Sequence, residues 1–560
     1  MEQGYWRYWG KARAEEGSGA KYHLLPYHCL DVAAVGAVYL DKHPALCTDW
    51  AARLDITPQR LTAWITFFLA IHDVGKFSHC FQSLRHDICQ LLGNDRTPEN
   101  YSVRHDSLGQ LFFEQKIYPL AIEQGWFGLS ADDDDQEYWA DNWKLWAKAV
   151  TGHHGKPPNL SNRPVLAAHF QQYDPDAAIA FVSACADLLL PENPGKLPGG
   201  SRVLDVLAHL SWRLAGLSVL CDWVGSNEEF FAYRTYRTEP MSLPEYWHKY
   251  ALPQADKALI AINLLPRTVA KQTLYGLFEY LQPPATPTSM SMRIDTPDDE
   301  SAIRQPTDNI PPRDVIRTFM ATPLQQTVAE LSLKSSSHLF ILEDVTGAGK
   351  TEAALMLAYR LIAMGQADGF YLGLPTMATS NAMYKRILKN HLPDKFFQEK
   401  PNLVLAHSAS RLAPVFDVLF GKARESDYQA DEASAGSERN AWFADSRKKA
   451  LLADLGVGTL DQALLAVLYS RHQSLRLLGL SRKVLIVDEV HACDAYMLKL
   501  LEVLLTFHAA DGGSVILLSA TLPLRTRQTL VNAYRKGLGV LSASPLQSIA
   551  YPLLTQIDHC

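Results

Sequence analysis

HLFILEDVTGAGKTEAALMLAYRLIA, residues 338–363, places a short apolar run, a glycine-bearing loop and a run of strong helix formers in immediate succession. HLFILED has the character of a buried strand, and EAALMLAYRLIA that of a helix. Between them, Val345-Thr346-Gly347-Ala348-Gly349-Lys350-Thr351 supplies what phosphate binding needs. Its glycines let the backbone close around phosphate oxygens, and successive N–H groups with the helix N-terminus provide positive potential. Thr346, Gly347 and Gly349 then form the cradle, Lys350 reaches the terminal phosphates and Thr351 can ligate Mg²⁺. Asp344 stands where the commonest form of this loop has its first glycine. The alternative is a glycine-rich turn without a ligand, and the strand, loop, helix order argues against it.

Downstream, the runs GFYLGLP, NLVLAH, KVLIVDE and SVILLSAT alternate with helical stretches, the pattern of a parallel sheet flanked by helices. KVLIVDE ends in Asp488-Glu489-Val490-His491, and strand ends in such sheets meet the ligand crevice. Asp488 is suited to hold Mg²⁺ through water, Glu489 to orient and deprotonate an attacking water, and His491 to link the nucleotide site to a neighbouring lobe. Ser519-Ala520-Thr521 follows the next strand. Each short motif is weak alone, but their order, each at a strand end, is a strong signal. It resembles the superfamily 2 helicases, and the resemblance extends to Gln325, beside Gln326, as an adenine-reading glutamine. It further implies that Leu374-Pro375-Thr376, Ala406-His407-Ser408 and Gly458-Thr459-Leu460-Asp461-Gln462 touch a nucleic-acid backbone; ordinary sheet loops are the alternative.

Upstream, from about Tyr22 to Phe231, apolar residues recur at helical spacing, which predicts an all-α domain. Thr57-Pro58 is a start signal for RLTAWITFFLAI, which delivers His72-Asp73 and then Gly75-Lys76, read as a helix stop followed by a cation near the last turn. Adjacent residues on a helix point about 100° apart, so a metal shared by His72 and Asp73 needs the helix end to loosen or other helices to converge. Candidate partners are His28, His105, the pair His153-His154, and Asp222 in the apolar helix SWRLAGLSVLCDWVG. A lone histidine is by default a core or surface residue. Asp222 is the sharpest case, because a carboxylate on so apolar a helix is costly to bury unless a cation or hydrogen bonds neutralise it. Seven such ligands suffice for two divalent transition metals, with Asp73 a natural bridge. Imidazole plus carboxylate suits iron, manganese, nickel, cobalt or zinc better than calcium. Two ions would suit phosphodiester hydrolysis, with Lys76 stabilising charge on the phosphoryl oxygens or, alternatively, serving as a surface helix-end lysine.

An all-α domain with HDVGK and TGHHG, followed by TGAGKTE, TLDQ, DEVH and SAT, resembles the CRISPR-associated helicase-nucleases of type I systems over most of Tyr22 to Pro523. The resemblance implies an HD-type domain followed by an α/β RecA-like domain with a mainly parallel sheet. It implies recruitment by the Cascade surveillance complex to an R-loop, and metal-dependent cutting of single-stranded DNA by a centre built on His28, His72, Asp73, His105, His153, His154 and Asp222. ATP with Mg²⁺, held through Lys350, Thr351, Asp488 and Glu489, would drive translocation. The catalytic candidates are Asp73, Lys76 and Glu489.

The expected boundaries are 1–245 for the HD domain, 246–312 for a connecting segment, 313–545 for the first RecA-like domain, and 546–560 for the start of a second lobe. The Pro-, Thr- and Ser-rich stretch 282–313 marks the linker. After Ser519-Ala520-Thr521-Leu522-Pro523 only enough chain remains for a helix and a short strand, so the motor is expected to be incomplete here. Hence two alternatives: an ATP-binding or docking fragment that needs a separate second lobe, and an HD nucleotide phosphohydrolase. The 47% hydrophobic and 20% charged composition excludes a disordered or collagenous chain, while the net charge of −7 averages over any local basic groove and decides nothing. The eight cysteines include no C-x-x-C pair, and with no signal-peptide pattern and no apolar run of membrane-spanning length, a reducing cytoplasm and no membrane are expected. Asp132 to Asp135 reads as a solvated loop.

Overall fold

The computed structural model describes residues 4–13, 20–94, 96, 100–128, 136–161, 164–171, 173–192, 201–235, 239–283, 319–406, 451–540 and 545–558. The acidic run Asp132 to Asp135, most of the 282–313 linker, and His407 and Ser408 lie outside these residues.

The first half is helical, as expected, with one addition. An antiparallel hairpin, β1 (Trp9–Ala12) and β2 (Tyr22–Leu24), closes over the helix Leu25–Lys42. The helix Pro58–Ala70 packs on that helix and carries Trp64, Phe67 and Phe68 into an aromatic cluster with Phe127, Trp143 and Trp146. Thr57 caps it by accepting from the Arg60 N–H at 3.2 Å, as the start signal predicts. Burying so many aromatic faces anchors this helix, and the His72-Asp73 pair follows its end at Ala70.

The long helix Ser201–Gly225 runs through the interface between the halves. It is apolar enough to cross a membrane by length and composition, yet 61% of that stretch is buried inside the protein, which is the profile of a core helix.

The second half is built on a seven-stranded sheet of order β11-β5-β10-β9-β6-β8-β7. Its strands are β5 (His338–Glu343), β6 (Gly369–Leu374), β7 (Leu403–Ala406), β8 (Leu455–Thr459), β9 (Lys483–Val487), β10 (Val515–Ser519) and β11 (Leu553–Asp558). A two-residue parallel pair, β3 (Leu281–Gln282) with β4 (Phe319–Met320), flanks it. The central strands are parallel and buried on both faces, which is why they read as continuous apolar runs.

Two expected boundaries need correction. Residues 546–560 do not begin a second lobe: β11 lies antiparallel against β5, from Leu553 opposite Glu343 to Asp558 opposite His338, and so completes the edge of the first lobe's own sheet. An unpaired edge next to the phosphate loop offers backbone groups that a following strand satisfies. Nor is 246–312 a connecting segment throughout. Tyr246, Trp247, Ala251, Ala255, Ala258, Leu259 and Ile262 are buried in the helical core, and Leu277, Phe278 and Leu281 in the core of the sheet domain.

Candidate metal centre and nucleotide site

All seven predicted metal ligands converge. His28 comes from the first turn of its helix, His105 from the start of the helix His105–Phe112, His153 and His154 from the turn after Gln136–Thr151, and Asp222 from the end of Ser201–Gly225. The helix Pro58–Ala70 stops before His72, so His72 and Asp73 lie in a turn ahead of the 3₁₀ segment Val74–Phe77. This is the loosened helix end that the adjacency of the two residues demanded.

Gly75 does not serve as the helix stop expected of it. Its backbone is not left-handed; a Cβ there would lie 1.9 Å from the His105 carbonyl oxygen and 2.6 Å from the Gly109 nitrogen. The glycine lets two ligand-bearing segments touch backbone to backbone.

Asp73 sits at the centre. Its Oδ2 lies 3.0 Å from His28 Nε2, 3.3 Å from His72 Nε2 and 2.8 Å from Lys76 Nζ. Its Oδ1 lies 3.5 Å from both His105 Nε2 and His153 Nε2. Asp222 Oδ1 completes the first side at 3.9 Å from His28 and 4.0 Å from His72, and is held by the Ser226 hydroxyl, which donates to it at 2.9 Å. His154 Nε2 faces His105 Nε2 at 3.0 Å on the other. The one carboxylate therefore shows a different oxygen to each of two histidine groups.

Local hydrogen bonds select the imidazole tautomers. Nδ1–H of His72 donates to the Leu69 carbonyl at 2.8 Å and Nδ1–H of His153 to the Val150 carbonyl at 3.0 Å, which turns both Nε2 lone pairs toward the centre. Burial holds His28, His105 and His154 well below the ordinary histidine range and pushes His153 down to about 4, so these rings are neutral near pH 7, the form that binds metal. For Asp73 burial acts upward, but Lys76, His72 and His153 outweigh it and hold the carboxyl well below its usual range.

The residues fit divalent metal. Asp73 Oδ1 and His72 Nε2 are buried without a hydrogen-bond partner, an arrangement that costs free energy unless a cation takes the lone pairs. Three overlapping groups, His28-His72-Asp73, His72-His153-Asp222 and His105-His153-His154, each keep their ligand atoms within 4.8 Å of one another.

Lys76 is no surface lysine. It is 2% exposed, paired to Asp73 and donating to the Gly10 carbonyl at 3.2 Å. One residue escaped sequence reasoning: Lys11 on β1, whose Nζ lies 3.9 Å from Asp222 Oδ1. Only the hairpin, pressed so tightly on the next helix that a Cβ at Gly10 would meet Leu25 Cα at 2.9 Å, brings it there. No local pattern in the sequence signals that.

In the sheet domain, the nucleotide residues gather at the carboxyl ends of β5, β9 and β10. Gly347 and Gly349 adopt φ of 86° and 79°, conformations that side chains resist. Lys350 folds onto its own loop, donating to the carbonyls of Asp344 at 2.6 Å and Val345 at 2.9 Å. Thr346 is exposed beside it, and Thr351 begins the helix Lys350–Ala363. Gln325 is buried: its amide donates to the Gly349 carbonyl at 3.2 Å and its oxygen accepts from the Thr322 N–H at 3.0 Å, so it braces the loop, while Gln326 bonds Ala321 instead. Burial and the neighbouring Glu489 raise the Asp488 carboxyl. Glu489 is held at φ 54°, a strained conformation of the kind that clusters at functional sites. His491 Nδ1 stands 3.1 Å from the Ser519 hydroxyl and 3.3 Å from a Glu489 carboxylate oxygen, which joins the ends of β9 and β10.

The described parts of the three segments expected to touch nucleic acid lie together. Leu374 on β6 pairs with Thr459 on β8, and Ala406 on β7 with Gly458, so the three strand ends lie side by side. Pro375, Thr376 and Met377 are exposed there.

Residues 9–231 match the family model described as Cas3, HD domain, and residues 322–530 match DEAD/DEAH box helicase. The chain is 32% identical to the CRISPR-associated endonuclease/helicase Cas3 of Escherichia coli (strain K12), covering 98% of this chain and 57% of that protein. The protein of the same description from Thermus thermophilus is 29% identical over 92% of this chain and 50% of its own length. A crystal structure of T. fusca Cas3-ATP superposes with a TM-score of 0.71 at 26% identity, covering 99% of this chain and 54% of that one. The chain thus spans about half the length of the curated relatives it matches.

Proposed function

Because the chain is built as the Cas3 nuclease-helicases are, a Cas3 HD domain joined to a DEAD/DEAH box helicase domain, we propose that it is a metal-dependent nuclease that cuts single-stranded DNA beside an ATP-binding motor lobe. The observation that carries this is Asp73, one buried carboxylate with each oxygen facing a separate histidine group. His28, His72 and Asp222 would hold one ion with Asp73 Oδ2, and His105, His153 and His154 the other with Oδ1. Such a pair supplies a hydroxide nucleophile near neutral pH and neutralises charge on the reacting phosphodiester.

The chain's own residues set the stage for that chemistry. Lys76 keeps Asp73 ionised from the buried side. Leu69 and Val150, through their carbonyls, fix the tautomers of His72 and His153. Lys11 adds positive potential on the Asp222 side, where phosphoryl charge would gather. In the motor lobe Gln325 braces the phosphate loop, Lys350 and Thr351 meet the phosphates and Mg²⁺, and Asp488 and Glu489 serve the ion and the attacking water. The exposed Pro375 and Thr376 after β6, with Asp461 after the neighbouring β8, would form the ledge for the DNA backbone, and an R-loop presented by a Cascade-type surveillance complex is the expected source of the strand, in a cytoplasmic setting.

Chelator-stripped protein should lose cleavage of circular single-stranded DNA and regain it with Mn²⁺, Co²⁺ or Ni²⁺. Turnover of small nucleotides with no preference for polymeric DNA would replace this reading with a nucleotide phosphohydrolase. The retracted Lys350 favours one second reading, a lobe that grips nucleotide only beside a partner lobe. Recovery of DNA-stimulated ATP turnover on adding a separately produced second lobe would support it.

A further inference from the structure

The metal centre is walled in part by the other domain. Beyond the Gly458–Gln462 strand end, the chain of the ATP-binding lobe reaches Arg471 and His472 and then the helix Gln473–Leu480. Arg471 Nε–H donates to the carbonyl of His154, itself a metal ligand, at 3.2 Å. The backbone N–H of His472 donates to the Gly155 carbonyl at 3.1 Å. The His472 ring fills the place a side chain at position 155 would take: a Cβ on Gly155 would lie 2.2 Å from its Nδ1. The same ring packs edge-on against Trp223, with centroids 5.0 Å apart, and Trp223 follows the ligand Asp222.

One corner of the ATP-binding lobe therefore touches the chain immediately beside ligands from both histidine groups. It is also firmly seated. Gly216 of the Asp222 helix lies so close to the helix Gln473–Leu480 that a Cβ would meet the Ser474 carbonyl oxygen at 2.4 Å, and Leu475 and Leu478 are buried in the hydrophobic core of the HD domain. His472 holds a left-handed φ of 62°, a conformation that costs free energy and persists where surrounding contacts impose it.

We infer that Arg471 and His472 are positioning residues for the nuclease centre: they fix the His153-His154-Gly155 turn and the Asp222 helix end, so that metal binding in the HD domain and seating of the ATP-binding lobe are coupled. Backbone partners of a ligand turn act as outer-shell contacts do, by holding ligand orientation before the ion arrives. Coupling of this kind is reciprocal, so metal should also tighten the lobe contact. The same corner lies ten residues beyond Asp461 in the chain, which ties the nucleic-acid ledge mechanically to the cutting centre.

The inference rests on the metal reading of the HD centre, and one set of measurements separates the two. Mn²⁺ binding is measured by equilibrium dialysis on the whole chain, for wild type, Asp73→Ala, Arg471→Ala with His472→Asn, and Arg471→Lys with wild-type His472. Asparagine tolerates the left-handed backbone, so the ring is lost without new strain. The expected result is a roughly tenfold loss of Mn²⁺ affinity in the double variant, the low end for outer-shell changes, with near-wild-type affinity in Arg471→Lys. Affinity in the double variant indistinguishable from wild type overturns the coupling while leaving the centre intact. Absence of Mn²⁺ binding in wild type overturns both. Should the double variant fail to fold, hydrogen exchange on wild type decides: adding Mn²⁺ should protect amides at 153–155 and also at 471–476, and protection confined to the HD domain overturns the inference.

Discussion

Lys76 and Asp73 show most directly how single residues set the chemistry. Lys76 is buried, and the carboxylate it pairs with would have to stay ionised to serve the proposed ions. Replacing one member of a buried pair leaves the other uncompensated, at a cost on the order of 3–5 kcal/mol. Lys76→Met should therefore lower the unfolding free energy of metal-free protein, and with it the urea midpoint, by that amount in free energy, and recover part of the loss when Mn²⁺ is added. An unchanged midpoint would show that the pair carries no load. The residue scale was also the most legible in the sequence. HDVGK, TGHHG and a carboxylate stranded on an apolar helix single out His72, Asp73, His153, His154 and Asp222, because each breaks the pattern of its surroundings, whereas His28 and His105 stand out only once the others define a centre. Lys11 was invisible, since its place depends on how a hairpin folds over Leu25 and His28. Gly75 was misread, because a glycine at a close approach and one at a helix end look alike until the second backbone is known.

At the scale of elements, the strand, loop and helix of 338–363 form as their sequence dictates, and parallel strands buried on both faces have an unmistakable composition. What escaped were the pairings at the margins. β11 could have opened a new sheet or closed an old one, and only the free edge of β5 decides between them. The helical segments Trp247–Ala251 and Leu252–Ala261 fall inside the expected 246–312 connecting segment, because the Pro- and Ser-rich composition farther on masks their helical spacing. One element carries a pH prediction. His508, on the helix Ala495–Ala510, is buried with its Nε2 facing the carbonyls of Lys483 at 3.0 Å and Ser514 at 3.3 Å. Burial, reinforced by Arg213, pushes its pKa down to about 4. The unfolded chain, near 6.5, takes up its proton first, so this contribution to stability is intact above pH 6.5 and lost as pH falls toward 4. About 1.4 kcal/mol per unit makes a total of about 3 kcal/mol. His508→Gln should flatten that part of the pH profile in thermal unfolding of the whole chain; an identical slope would remove His508 as its source.

Across the whole molecule, the two domains are fastened through one long helix. His209 and Arg213, both on Ser201–Gly225, converge on Asp511, with His209 Nε2 2.6 Å from its carboxylate, while Arg213 also bonds the Leu477 carbonyl and Arg53 the Ala510 carbonyl. Arg213→Ala should loosen this joint and split a single calorimetric transition into two, one for each core; a single unshifted transition would show that apolar contact alone holds the domains together. A chain so fastened places the glycine-bearing loop after β5, the ends of β6 and β8 and the histidine–aspartate cluster in one body.

The metal centre is where the proposed activity is decided. The most direct test incubates circular single-stranded DNA with the whole chain and Mn²⁺, comparing wild type with Asp73→Ala while metal content is measured on the same samples. The prediction is that wild type holds two ions per chain and linearises and then degrades the circle, whereas Asp73→Ala, folded, loses bound metal and leaves the circle intact. Equal cutting by the two proteins would contradict it.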